Sequence, residues 1–123
     1  DTVTASVDMM GFHSVAFYAL VGESGDTLSG TVFIELEVQD SADDSTFKAV
    51  ADAKITNADA NGSKTGTFAL IDAAAEDDAV FVTQYRGGER YVRANVNVTG
   101  THTNGTPIAI MALRSKAQNT PVQ

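Results

Sequence analysis

The residues in this chain that could perform chemistry are few and widely spaced. There is no cysteine, which excludes disulfides, thiolate metal ligands and cysteine nucleophiles. The two histidines, His13 and His102, form neither an H-x-x-x-H nor an H-x-H spacing, so we expect no histidine-centred metal site. No serine lies in a G-x-S-x-G elbow. We therefore expect no catalytic residues, no cofactor and no metal, and interpret the chain as a binding or assembly protein, not an enzyme.

One acidic segment could attract a metal ion. Residues 40–46 read Asp-Ser-Ala-Asp-Asp-Ser-Thr, and three carboxylates with several hydroxyls could hold calcium. The segment lacks the alternating ligand spacing, the central glycine and the distal glutamate of an EF-hand loop. Aspartate and serine side chains also cap their own backbone in turns. We favour such a turn over a calcium site.

The charge of the chain bears on its partners. A formal net charge of −8 opposes nucleic-acid binding, which needs clusters of lysine and arginine. Residues 1–62 hold 11 acids and two bases, whereas residues 63–123 hold five acids and six bases, including all four arginines. This asymmetry fits either an ordinary solvated surface or a module with one face on a partner and one toward solvent. No run approaches 18 apolar residues, so we expect no membrane partner.

Alternation of apolar and polar residues predicts the strands. In residues 32–39 the apolar side chains share one face: Val32, Ile34, Leu36 and Val38. Glu35 and Glu37 point to the other face, as in a half-buried strand. Further strands are predicted in residues 15–21, 66–71 and 107–113, with an edge strand in 2–7. Residues 15–21 are apolar on both faces, as expected of a central strand. Residues 72–79 could form a single helical turn.

Residues 81–98 show the strongest local pattern. Gly87 and Gly88 can supply the positive φ angles of a two-residue turn, so we predict a hairpin with Tyr85 opposite Arg90. Its core face would carry Phe81, Thr83, Tyr85, Val92, Ala94, Val96 and Val98. Its outer face would carry Arg86, Glu89, Tyr91 and Arg93. We predict these last four residues to be the partner interface, because interfaces favour arginine and tyrosine; alternatively, Arg93 pairs with Glu89 or with an acid of a neighbouring strand.

The spacing of the strands predicts the fold class. Six to eight short strands with turns about every ten residues indicate an all-β fold, a two-sheet antiparallel β-sandwich of jelly-roll type. We expect residues 1–123 to form one domain, with residues 1–6 and 115–123 as extended arms.

Three passages resemble a known family. Residues 40–47 (DSADDSTF) follow a strand, residues 90–93 (RYVR) follow the glycine turn, and residues 98–101 (VTGT) close that strand. In this order they are similar to the capsid cement or decoration proteins of tailed bacteriophages, over roughly residues 7–113. The acidic segment 76–78 and the loop 57–66 depart from the family pattern.

The resemblance implies a jelly-roll β-sandwich that sits on the outer capsid shell and clamps neighbouring capsomers. It implies the major capsid protein as partner, a homo-oligomer (dimer or trimer) on the capsid, and a place on the virion exterior after synthesis in the bacterial host cytoplasm. Two alternatives remain: another virion part, such as a head–tail connector or tail accessory, and a carbohydrate-binding β-sandwich. A sugar-binding module usually presents aromatic platforms, and only Tyr18, Tyr85 and Tyr91 could serve here, since tryptophan is absent.

Overall fold

The computed structural model describes residues 2–73 and 76–117, and the side chains of all of these except 115–117. Within them lie nine strands and a 3-10 helical turn at Asp52–Lys54. The strands are β1 (Thr2–Val3), β2 (Val7–Asp8), β3 (Phe12–Val21), β4 (Phe33–Ser41), β5 (Lys48–Ala49), β6 (Thr67–Ile71), β7 (Ala79–Tyr85), β8 (Tyr91–Thr99) and β9 (Ile108–Ala117). All strand pairs are antiparallel.

Two sheets pack against each other as a sandwich, which confirms the predicted all-β fold class. The large sheet has the order β1–β8–β4–β5, with β2 also pairing with β8 and β6 with β4. The small sheet has the order β7–β3–β9. The finer assignment to the jelly-roll type stays a prediction.

The core lies between the inner faces of the two sheets. On β3 every second residue is buried there: Val15, Phe17, Ala19 and Val21. From the large sheet, Leu36, Val38 and Val92 are fully buried against them. Side chains from segments outside the long strands close the core, namely Met9, Val50 and Ile55. The apolar alternation of the sequence thus selects the inward-facing side of each strand.

The predicted hairpin between β7 and β8 is wrong. β7 pairs with β3 in the small sheet, and β8 pairs with β4 in the large sheet, so residues 86–90 cross from one sheet to the other. Neither Gly87 nor Gly88 has a positive φ. A Cβ on Gly87 would lie 2.3 Å from the hydroxyl oxygen of Tyr85, so glycine is required there by close approach and not by turn geometry.

The predicted face assignment is largely correct even though the pairing is not. Both strands point alternate residues into one core, whether they pair or cross between sheets. Seven of the predicted core-face residues are buried: Ile34, Leu36, Val38, Thr83, Tyr85, Val92 and Ala94. Phe81 and Val96 pack partly against the core. Val32 is half-buried at a bridge to Ser29. Val98 is 41% exposed, because it borders an open cleft of about 370 Å³ between β9 and the edge of the large sheet.

The two chain ends and the segment 72–79 agree only in part with the sequence predictions. The edge strand predicted in residues 2–7 is confirmed as β1 and β2, which pair with β8. Thr2–Val3 of the predicted N-terminal arm therefore belongs to the sandwich. In the predicted C-terminal arm, residues 115–117 belong to β9 and residues 118–123 lie outside the described residues. The helical turn suggested for 72–79 contains a turn closed by Glu76 N–H donating to the Ala73 carbonyl, and residues 74–75 lie outside the described residues.

Candidate interaction surfaces

The outer face of the large sheet is polar but buried. Glu35 and Glu37 on β4 lie directly opposite Asn97 and Asn95 on β8. All four residues are buried, with exposed fractions of 1% for each glutamate and 4% and 7% for the asparagines. The sequence predicted that this face of β4 would be the solvent-facing side of a half-buried strand. That expectation is wrong because the loop 57–66 lies over the face.

Hydrogen bonds fasten the loop 57–66 to this polar face. Ser63 donates from its backbone N–H and its hydroxyl to the two Glu35 carboxylate oxygens, the hydroxyl at 2.6 Å. Lys64 Nζ donates to Asn97 Oδ1 at 3.3 Å. On the sheet itself, Asn95 Nδ2 donates to Glu37 Oε1 at 2.8 Å. The loop therefore closes this part of the sheet to partners.

Next to the covered region, an arginine is held between an aromatic ring and an amide. The Arg93 guanidinium lies 3.9 Å from the centroid of the Phe47 ring. Its Nε donates to Gln39 Oε1 on β4 at 2.8 Å. The predicted alternative, a pair between Arg93 and Glu89 or a strand acid, is replaced by this contact with an amide. Stacking and hydrogen bonding together fix the plane of the guanidinium.

A second arginine is held beside Tyr91. Arg90 donates from Nε and Nη2 to the two carboxylate oxygens of Asp8, each at 2.9 Å. These hydrogen bonds lower the pKa of Asp8 to about 2. The Arg90 guanidinium lies 5.0 Å from the centroid of the Tyr91 ring. We call Phe47, Arg90, Tyr91 and Arg93 the arginine–aromatic patch.

The four predicted interface residues occupy two places. Tyr91 and Arg93 lie on the outer side of β8, half-buried, within the arginine–aromatic patch. Arg86 and Glu89 lie in the crossover, where Arg86 is exposed and the Glu89 N–H donates to the Tyr85 hydroxyl at 3.3 Å. Their role as an interface stays a prediction, but they do not project from one hairpin.

Sequence reasoning missed Phe47 and Arg90 as members of the patch. Arg90 falls on the core side of β8 by alternation, and its contact with Tyr91 depends on the Asp8 carboxylate brought in by β2. Phe47 follows the acidic turn, and no local pattern indicates that it reaches β8.

The outer face of the small sheet is apolar and exposed. Its nine central positions carry no charged residue: Ala16, Tyr18, Leu20, Val80, Val82, Gln84, Ala109, Met111 and Leu113. The large side chains Leu20, Val80, Met111 and Leu113 have exposed fractions of 49–60%. Contiguous apolar patches of this kind mark interaction sites more often than they mark bare surface. We call these nine positions the apolar face.

The acidic segment 40–46 forms the predicted self-capped turn. Asp43 Oδ1 accepts hydrogen bonds from the Ser41 hydroxyl at 2.8 Å and from the N–H groups of Ser45 and Thr46 at 3.0 and 2.9 Å. The N–H of Thr46 contributes most to lowering the pKa of Asp43. Asp40 is buried away from the turn, where it accepts from the Tyr85 hydroxyl at 2.8 Å. Burial of that hydroxyl raises the pKa of Tyr85.

A second aspartate joins two loops at the end of the sandwich. The Asp26 carboxylate accepts hydrogen bonds from the N–H groups of Thr103, Asn104 and Gly105, at 2.7–3.0 Å. These bonds, led by that of Asn104, lower the pKa of Asp26. His102 Nδ1 lies 3.7 Å from Asp26 Oδ2, and its Nε2 lies 3.0 Å from the Thr99 carbonyl. We assign this cluster a structural role.

The described residues contain neither a candidate metal centre nor a membrane-spanning helix. Among residues 2–73 and 76–117, no three His, Cys, Asp or Glu side chains are close enough to hold a metal ion. The same part of the chain contains no helix with the length and apolarity needed to cross a bilayer. No protein-family model, curated protein or solved structure matches this chain.

Proposed function

We propose that this chain is a capsid cement or decoration protein of a tailed bacteriophage. It is a structural protein that binds the outer capsid surface and stabilises contacts between neighbouring capsomers. One observation carries the proposal: two of the passages that resemble this family, residues 40–47 and 90–93, are separated in sequence but supply all four residues of the arginine–aromatic patch. Two of the three passages therefore meet on one surface.

The chemistry of the patch suits protein binding. Arginine and tyrosine dominate the binding energy of many interfaces, since each offers a large contact area and directional donors. Here Arg93 is stacked on Phe47 and bonded to Gln39, and Arg90 is bonded twice to Asp8. Side chains that are already ordered lose less conformational entropy on binding. The patch is pre-organised before any partner arrives.

The charge of the chain indicates where an acidic partner could make contact. With a net charge of −8, most of the surface repels a carboxylate-rich protein. Arg93 and the nearby crossover residue Arg86 lie in the part of the chain that is not acidic. We infer that the patch binds carboxylates on the major capsid protein, with Tyr91 supplying contact area. Because the Arg90 charge is paired with Asp8, Arg93 is the cation we expect to matter most.

Occupancy on undecorated capsids tests the proposal. The double variant Tyr91→Ala with Arg93→Ala should reduce binding at least about tenfold, as expected when interface anchors are truncated. Arg93→Lys keeps the charge but loses the flat guanidinium that stacks on Phe47, so we expect an intermediate loss. Occupancy is measured by sedimenting capsids with the protein and quantifying the bound chain.

Lys54→Ala is the matched control. Lys54 is an exposed cation in the 3-10 helical turn and is not a member of the patch. Its removal changes the net charge by the same amount as the removal of Arg93. It should leave occupancy within about twofold of wild type. Wild-type occupancy in the folded double variant would overturn the assignment of the patch. Binding at the portal vertex instead of the outer shell would favour a head–tail connector.

A further inference from the structure

The apolar face is ordered by the register of its three strands. Tyr18 on β3 lies opposite Val82 on β7 and Met111 on β9, so these three form a middle row. The row on one side consists of Val80, Leu20 and Ala109. The row on the other side consists of Gln84, Ala16 and Leu113. On β3 the large residue of the two outer rows is Leu20 and the small one is Ala16. On β9 the order is reversed, because Ala109 lies in the row of Leu20 and Leu113 in the row of Ala16.

This exchange makes the two outer rows complementary to each other, whereas in the middle row each residue meets its own copy. If a second copy lies face to face with its strands reversed about the middle row, Leu20 meets the small Ala16 of the other copy. Leu113 likewise meets Ala109. If the strands instead run in the same direction, Leu20 meets Leu20, and Ala16 meets Ala16 and leaves a gap. Packing of large against small side chains is what two sheet faces need to interdigitate at about 10 Å.

The charges at the two ends of the small sheet favour the same reversed arrangement. At the end where β3 finishes and β7 begins, Glu23 and Asp78 are exposed. At the opposite end, Arg86 is exposed, whereas Arg114, opposite the buried Val15, donates to the Asp8 carbonyl on the inward side of the sheet. Reversing the strands places the acidic end of one copy over the basic end of the other. Parallel strands would place like charges together, which is unfavourable.

We propose that the apolar face is a homodimer interface, covered by a second copy of this chain through a two-fold axis that runs across the strands at Tyr18. The inference does not depend on the capsid role. The nine positions span five residues on each strand, and the full strands set an upper limit of about 14 by 33 Å on each copy. Two copies therefore cover at most roughly 900 Å², below the size of stable interfaces, so we expect a weak, reversible dimer with a dissociation constant on the order of 10 µM.

Sedimentation equilibrium on the purified protein tests the dimer. Wild type should change from one to two copies of the 12.9 kDa chain as its concentration rises through the micromolar range. Met111→Lys buries a charge in the interface and should raise the dissociation constant about a hundredfold. Met10→Lys is the matched control, because Met10 is 66% exposed and Met111 59% exposed, and Met10 lies outside the apolar face. This control should dimerise as wild type does.

Charge reversal and cross-linking test the orientation. Asp78→Lys should weaken the dimer, and adding Arg86→Glu should restore it, because the reversed arrangement pairs these two residues. The chain has no cysteine, so Met111→Cys introduces one unique thiol. A short bis-maleimide should join two copies of this variant, since Met111 faces Met111 only when the strands are reversed.

Several outcomes would overturn the proposal. A wild-type protein that stays monomeric at about 0.1 mM lacks this interface. A dimer unaffected by Met111→Lys uses another surface, and a trimer excludes the two-fold axis. If the monomeric wild type binds capsids and Met111→Lys abolishes that binding, the apolar face contacts the capsid and not a second copy. Circular dichroism confirms folding of each variant, and Leu113→Lys replaces Met111→Lys if the latter does not fold.

Discussion

The burial of the two outer sheet faces is the reverse of what their side chains would ordinarily produce: the polar face is covered and the apolar face is exposed. On the large sheet, Glu35 and Glu37 are charged residues that are 1% exposed, whereas on the small sheet Val80 and Met111 are apolar and about 60% exposed. Charged residues are rarely buried unless they are hydrogen-bonded, and large apolar residues are usually withdrawn from water. The difference lies in what covers each face.

The outer face of the large sheet is covered by the loop 57–66 of the same chain. Ser63 and Lys64 in the loop 57–66 supply the donors that Glu35 and Asn97 require. The small sheet has no comparable cover in the part of the chain that the structure describes. The loop covers the polar face, although Glu37 Oε2, Asn95 Oδ1 and Asn97 Nδ2 are buried there without a hydrogen-bond partner among the described residues. An apolar face left open is suited to completion by another chain, which is how we interpret the small sheet.

Removal of Glu35 should have the largest effect on stability. Glu35→Ala leaves the Ser63 N–H and hydroxyl without their acceptors and frees the loop, so we expect a loss of about 2–3 kcal/mol in the free energy of unfolding. Val80→Ala, on the exposed apolar face, should change it by about 0.5 kcal/mol or less at concentrations where the chain is monomeric. Urea denaturation measures both. A larger loss for Val80→Ala would contradict the assignment of covered and open faces.

The crossover that separates β7 from β8 into different sheets can be tested at its glycines. Gly87→Ala places a Cβ 2.3 Å from the Tyr85 hydroxyl, so the crossover must shift, at an expected cost of about 1–3 kcal/mol. Gly88→Ala meets nothing within 4 Å and should cost much less. Thermal unfolding of the two variants gives the comparison. Equal losses would indicate the two-residue hairpin turn that the sequence predicted.

Asp8 and Asp26 should contribute to the acid sensitivity of the fold. The pKa of Asp8 is lowered to about 2 by Arg90, and that of Asp26 is lowered by backbone N–H groups. A carboxyl group with a lowered folded-state pKa stabilises the fold above its unfolded value of 3.8 and ceases to do so as the pH falls through the folded value. The melting temperature should therefore fall between about pH 4 and pH 2.

Asp8→Asn isolates one part of this acid dependence. The variant should melt slightly below wild type at neutral pH and show a shallower decline in acid, since its side chain no longer takes up a proton. An unchanged slope of melting temperature against pH would show that the Asp8–Arg90 pair does not contribute.

The smallest expected effect is that of removing divalent cations. Asp43 already accepts three hydrogen bonds within the turn 40–46, and Asp40 is engaged by Tyr85. EDTA should therefore leave the melting temperature unchanged within error. A drop that calcium restores would instead support a metal site in this turn.

Local alternation was enough to predict the strands and their inward-facing residues. Alternation could not distinguish a hairpin from a crossover, because both connections place Tyr85 and Val92 in the same core. The need for glycine at position 87 comes from contact with a tyrosine side chain folded back over the crossover, which mimics the signature of a tight turn. The two-residue period therefore identifies which side chains face the core, but it does not identify which strands pair.

The surfaces were harder to predict than the core. Burial of Glu35 depends on Ser63, 28 residues away, and the patch depends on Phe47 meeting Arg93. Neither contact follows from spacing along one strand. The apolar outer positions of β3, such as Leu20, indicated a buried central strand. The strand is central, but its outer face is open in the monomer.

The most direct test of the proposed capsid role is whether this chain is part of purified tailed-phage virions. Quantitative mass spectrometry of purified virions, compared with the soluble lysate, measures this without any variant. The account predicts that the chain is present in virions at a fixed ratio to the major capsid protein, and that it is accessible to protease on intact particles. A chain recovered only from the soluble lysate, and absent from purified virions, would contradict the proposed role.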